Sequence, residues 1–179
     1  MLKSDYNTLK TPEELMEYMN EFIQYGWEDI DGNIHINELK GLREKYIIIS
    51  IEEMIYKGVG TCVEQANMIK TALDRMGYET KIFCHRSSES EQIVENDVHM
   101  HCLVYFKNND KWYHFEHSNF QCRGIHEYNT LEEGINNRIK TFEEKGEYRK
   151  MTEIPFIPVG LTFGEFNKFV NQYDDIKSL

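Results

Sequence analysis

The sequence predicts a single α+β domain over residues 1–179, on three observations. An amphipathic helical segment opens at Gly60-Thr61-Cys62, a β-branched and aromatic stretch at 97–117 doubles back on itself, and helix-start signals recur towards both ends. The core is expected over about 51–128, with helical flanks at 11–46 and 129–175. At 179 residues, 40% hydrophobic and 13% aromatic, such a chain can bury a substantial core without staples.

Thr11-Pro12-Glu13-Glu14 opens the first helix with a capping hydroxyl, a proline at the first helical position and acids in the first turn. Leu15, Met16, Met19, Phe22 and Ile23 carry its apolar face to about Tyr25, and Gly26 is expected to end it. Asp29-Ile30-Asp31-Gly32-Asn33 is similar to the start of a calcium loop. That loop requires glycine sixth and glutamate twelfth, where this chain has Ile34 and Lys40, so a turn is expected instead. A helix over 37–46 and a shorter one behind the Ser50-x-x-Glu53 capping box follow.

Val63, Ala66, Ile69, Ala72, Leu73 and Met76 then recur at the spacing of a half-buried helix that Gly77 stops. Two glycines, Gly58 and Gly60, lead into it and leave Cys62 in its first turn. There the outward N–H groups and the positive end of the helix dipole favour a thiolate, and the Cys62 N–H offers one oxyanion donor. A strand at 79–85 and an exposed polar loop at 86–96 come next.

The run 97–106 and the run 111–117 form a hairpin signal, because asparagine tolerates the positive φ of a two-residue turn. With Asn108 and Asn109 as the loop, His101 lies across from Glu116, Leu103 from His114, and Tyr105 from Trp112. Opposed residues share a face with Cβ atoms ~4.5–5.5 Å apart, within hydrogen-bonding reach for a carboxylate and an imidazole. Val98, Met100, Val104, Tyr113 and Phe115 point the other way, towards the core. Beyond the hairpin, a Thr130-x-x-Glu133 capping box opens a helix through Ile135, Ile139 and Phe142. Pro155 and Pro158 break the chain, and a closing helix over 161–173 presents Phe163, Phe166, Phe169 and Val170.

A cysteine nucleophile needs a base in reach, and the base needs an acceptor that fixes its orientation. Cys62, His101 and Glu116 are the candidates for those roles, with His99, Tyr105, Trp112 and His114 as walls of a substrate groove. Two other readings use the same residues. One is a binding module in which His101 is merely a strand histidine satisfied by a carboxylate. The other is a zinc or iron site around His99-x-His101 with His114, His117, Cys84, His85, Cys122 and His126. One HxH is its single tight spacing, and no metal or other cofactor is expected.

The net charge of -11 disfavours nucleic acid and anionic membrane surfaces. The longest strongly apolar run, 46–49, falls far short of a membrane span, and the first seven residues hold no apolar signal core. Four cysteines without a CxxC pair fit reduced thiols. The expectation is a cytoplasmic protein with a peptide or protein substrate and neither nucleic acid nor membrane as partner. Nothing in the sequence marks an oligomeric interface.

From Ile51 to His117 the sequence resembles the transglutaminase-like superfamily. A short helix leads into Gly60-Thr61-Cys62 with Glu64 and Ala66 following, then come the Met76-Gly77-Tyr78 turn, a strand, the His101 strand and a Trp112-x-x-x-Glu116 strand. The family usually has aspartate at the position of Glu116, and often tryptophan where this chain has Leu103. Gly60-Thr61-Cys62-Val63-Glu64 is also similar to the cysteine motif of arylamine N-acetyltransferases, a related but longer papain-like family. The resemblance implies a papain-like core with the Cys62 helix packed on an antiparallel sheet carrying His101 and Glu116. It also implies acyl chemistry through a thioester: proteolysis, deamidation, amide hydrolysis or transfer to an amine.

Overall fold

The computed structural model describes residues 2–88, 99–143 and 148–176. The strands form two sheets. The smaller sheet has the order β2-β1-β3, from β1 (Gln24–Glu28), β2 (Ile34–Ile36) and β3 (Val59–Gly60). The larger is a five-stranded antiparallel sheet in the order β7-β6-β5-β4-β8, from β4 (Glu79–Ser88), β5 (His99–Asn108), β6 (Lys111–Glu116), β7 (Gly124–Tyr128) and β8 (Tyr148–Ile154). The helices are α1 (Pro12–Phe22), α2 (Leu42–Lys45), α3 (Ile51–Lys57), α4 (Cys62–Arg75), α5 (Leu131–Glu143) and α6 (Phe163–Val170).

Alternation along β5 divides the core. Cys102, Val104 and Phe106 join Ile82, Cys84 and Phe115 beneath the apolar stripe of α4, with α1 and α6 completing that side. Leu103 and Tyr105 face the other way and pack with Phe83, Met151 and Ile135 of α5. A fully buried core side chain of this size is worth ~1.5–3 kcal/mol, so each face is a substantial anchor. Arg86 is buried too, and its guanidinium bonds Thr152 of β8 at 3.0 Å and Asp175 at 3.1 Å, tying the C-terminal segment to the sheet.

Local helix signals correspond closely to what forms. Thr11, Ser50 and Thr162 each accept from the backbone three residues on, with the reciprocal glutamate in place. The departures lie where long-range pairing competes. α1 stops at Phe22, and Gln24–Glu28 is drawn into a strand between β2 and β3. Gly26 is therefore no helix stop: a Cβ there would sit 2.7 Å from the His35 carbonyl oxygen across the sheet. Of the helix expected over 37–46, α2 alone forms. β4 continues through Arg86 to Ser88 because β8 and β5 pair with it there, so the expected loop begins later. Residues 89–98, including the rest of that loop and Val98, lie outside the described residues. β7 and β8, unmarked in the sequence, extend the sheet on both sides of the hairpin.

The hairpin register also differs. Asn109 and Asp110 form the turn, with Asn109 at φ 53°, so Asn108 pairs with Lys111 and Tyr105 with His114. The slip moves each opposed partner by two positions, which leaves every side chain on its expected face.

Candidate active site

The first turn of α4 is held from three directions. Gly58 closes α3 in the left-handed region at φ 75°, and Val59 and Gly60 then pair in parallel with Gln24 and Tyr25. Gly60 is required for space: a Cβ would lie 2.5 Å from Met54 Sδ and 3.2 Å from Glu64 Cβ. Thr61 caps the helix by accepting the Val63 N–H at 3.1 Å, and buried Glu64 accepts the Thr61 N–H at 2.9 Å. The other Glu64 oxygen takes the Tyr46 hydroxyl at 2.6 Å. Burial raises the Glu64 carboxyl, and these hydrogen bonds partly offset the rise.

Cys62 is the first residue of α4 and is 6% exposed, with its thiol towards the Met100 carbonyl oxygen at 3.8 Å. That carbonyl lies on β5 beyond the last residue pair with β6, Val104 with Phe115. The next residue, His101, places Nε2 2.7 Å from Glu116 Oε2. The expected His–carboxylate contact thus forms diagonally rather than between opposed residues, because the register slip preserves the face. Glu116 Oε1 accepts from Ser118 Oγ and from the Asn119 N–H, both at 2.9 Å, which fixes the carboxylate.

The electrostatics follow from these contacts. Burial pulls the His101 imidazole down, but hydrogen bonds with Cys62 and Glu116, and the charges of both, push it up to about 10. Burial would raise Glu116, yet the bond to His101, the charges of His101 and His114, and the Asn119 N–H hold it down at about 2. With Nε2 occupied by Glu116, Nδ1 is the His101 nitrogen left for the thiol.

The expected groove residues separate. His99 is exposed and lines a cleft of about 380 Å³ with Tyr25, Met100, Leu39, Leu42 and Phe163. Tyr105 is fully buried and donates to the Gly134 carbonyl oxygen at 3.1 Å. His114 is buried and stacks on Tyr105, with ring centroids 4.9 Å apart, while Trp112 packs on the same cluster beneath α5. None of the three lines that cleft: Tyr105 and His114 are buried on the α5 face, and half-buried Trp112 packs against them there. Among the described residues no three His, Cys, Asp or Glu side chains converge as a metal site.

Three contributors carry no local signal in the sequence. Gln65 donates to the Gly60 carbonyl at 2.8 Å and its Oε1 faces His117 Nδ1 at 2.7 Å, so that nitrogen carries the proton. This links the α4 start to the residue after Glu116. Tyr25 stands on β1 beside Gly60 and on the cleft wall. A helix-periodic reading of α1 conceals it, since its partners are 35 residues away. No helix among the described residues is long and apolar enough to cross a membrane. In comparisons with known proteins, no family model matches the chain and no curated protein does.

Proposed function

We propose that this chain is a cysteine-dependent amide hydrolase or acyltransferase of transglutaminase-like, papain-like type. Its substrate is a peptide or protein amide, and Cys62, His101 and Glu116 are the triad. The observation that carries the reading is the 2.7 Å His101–Glu116 contact at the open edge of β5, beside a thiol on the first residue of a helix.

In this reading Cys62 Sγ attacks the amide carbon while His101 Nδ1 holds the thiol proton. The C–N bond breaks as His101 passes that proton to the leaving amine, and a thioester remains. Glu116 accepts the Nε2–H and stabilises the imidazolium. Water, activated by the now neutral His101, then releases the acid and the thiol. Hydrolysis is favoured over transfer because water needs no dedicated second site. The cleft beside His99 and Met100 is the approach for the substrate.

Iodoacetamide labelling, located among the four cysteines by mass spectrometry, tests this. Selective labelling of Cys62 at pH 6.5 is expected in the wild type, with a drop of roughly tenfold or more in His101→Ala. Slow labelling that the substitution leaves unchanged would refute the reading.

A further inference from the structure

An acyl-transfer site needs a second donor for the oxygen of the tetrahedral intermediate, besides the backbone N–H of the nucleophile. Building on the thioester reading above, we infer that the Tyr25 hydroxyl is that donor and so a catalytic residue.

Three features of the fold point to it. Tyr25 pairs with Gly60, two residues before Cys62, so its backbone is registered directly against the strand that delivers the nucleophile. It lines the cleft together with His99 and Met100, and Met100 both supplies the carbonyl that Cys62 contacts and directly precedes His101. It is held on both edges, since β1 lies between β2 and β3 and the Tyr25 carbonyl accepts the Asn37 N–H at 3.3 Å. A donor fixed in this way needs no reorganisation when charge develops on the substrate oxygen. The ring is half-buried, and burial together with the nearby Cys62, Glu64, Glu116 and Cys102 raises its ionisation, so it remains an O–H donor.

The step can be written for p-nitrophenyl acetate. A Cys62–carbon bond forms as the carbonyl π pair moves onto oxygen, which then accepts from Tyr25 Oη–H and the Cys62 N–H. As the pair returns, the ester C–O bond breaks and p-nitrophenolate leaves. Acetyl-Cys62 remains, and the thiol proton stays on His101.

Alkylation by iodoacetamide displaces iodide at a saturated carbon and develops no such oxygen, so the two reagents separate oxyanion stabilisation from thiol activation. In Tyr25→Phe, the rate of p-nitrophenolate release with acetyl-Cys62 formation is expected to fall ~10²-fold, while iodoacetamide labelling of Cys62 stays within about twofold of wild type. Far-UV circular dichroism and the thermal midpoint establish that the variant is folded, since Phe removes a single oxygen. A parallel fall in both rates would overturn the inference, because Tyr25 would then act on the thiol. Unchanged acylation, or faster acylation, would overturn it as well. A wild-type Cys62 that neither reagent modifies in a His101-dependent way would refute the thioester reading itself, and this inference with it.

Discussion

His101 and His114 stand on neighbouring strands of one sheet face and approach the same oxygen, Glu116 Oε2, at 2.7 and 3.8 Å. Their fates are opposite. His101 lies where β5 has outrun β6, its side chain 18% exposed, with hydrogen bonds to Glu116 and Cys62 that hold it up at about 10. His114 lies inside the ladder, 5% exposed, and burial drives it down to about 3. Glu116 pulls that value upward, but Arg138, His101 and His126 add to the fall. The lesson concerns edges. A strand interior supplies desolvation without a full partner, whereas the end of a ladder supplies a partner, a carbonyl and access together.

The largest test of that contrast is Glu116→Gln. An amide keeps the shape but removes the charge that stabilises imidazolium, so thioester chemistry is expected to fall on the order of 10³-fold. The His101 ring, followed by NMR titration, should move down towards its ordinary range, and His114, which loses the same upward pull, should fall further. A His101 titration indifferent to the substitution would mean that Glu116 does not set its charge.

The next effect is on stability against pH, and its sign differs between the two regions. His101 is raised in the fold, so its contribution is complete below about 6.5 and is lost as pH rises towards about 10. Glu116 is depressed, so its contribution is complete above about 4.5 and is lost as pH falls towards about 2. His114, depressed to about 3, and His117, depressed to about 4 by burial and the Arg123 charge, act differently from either. Unfolded chains take up their protons from about pH 6.5 downward and the native state refuses them, so stability falls with acid. Between pH 6.5 and 4 each is expected to cost ~3 kcal/mol. Urea unfolding across that range should show the loss in the wild type and about half of it in His114→Phe. A flat wild-type profile would contradict the assignment.

The smallest effect lies on the α5 side. A Cβ at Gly134 would meet Tyr105 Cε1 at 2.8 Å and Tyr128 Cδ2 at 3.0 Å, and the buried Tyr105 ring has nowhere to go. Overpacking costs ~1–3 kcal/mol and alanine returns ~1 kcal/mol of helix propensity, so Gly134→Ala should lose about 1 kcal/mol net. The urea midpoint should drop while iodoacetamide labelling of Cys62 stays unchanged. A change in labelling would show the two faces of the sheet to be coupled.

By itself the sequence determined what depends on near neighbours. The caps at Thr11, Ser50 and Thr162, the stripe of α4, and the placement of Cys62 at its start are set within a few residues along the chain. The face of His101 and Glu116 was legible for a related reason: side chains alternate with period two, and a register slip of two positions leaves the face intact. What the tertiary structure alone decided rests on distant partners. The Gln24–Glu28 segment is a strand because Val59, Gly60 and Ile36 pair with it, and that pairing brings Tyr25 beside the cysteine. Tyr105 and His114 went to the core because α5 covers their face, which no local pattern in the hairpin encodes. Which histidine carries charge was settled last, by where β6 stops along β5 and hence by which imidazole keeps a carboxylate within hydrogen-bond reach.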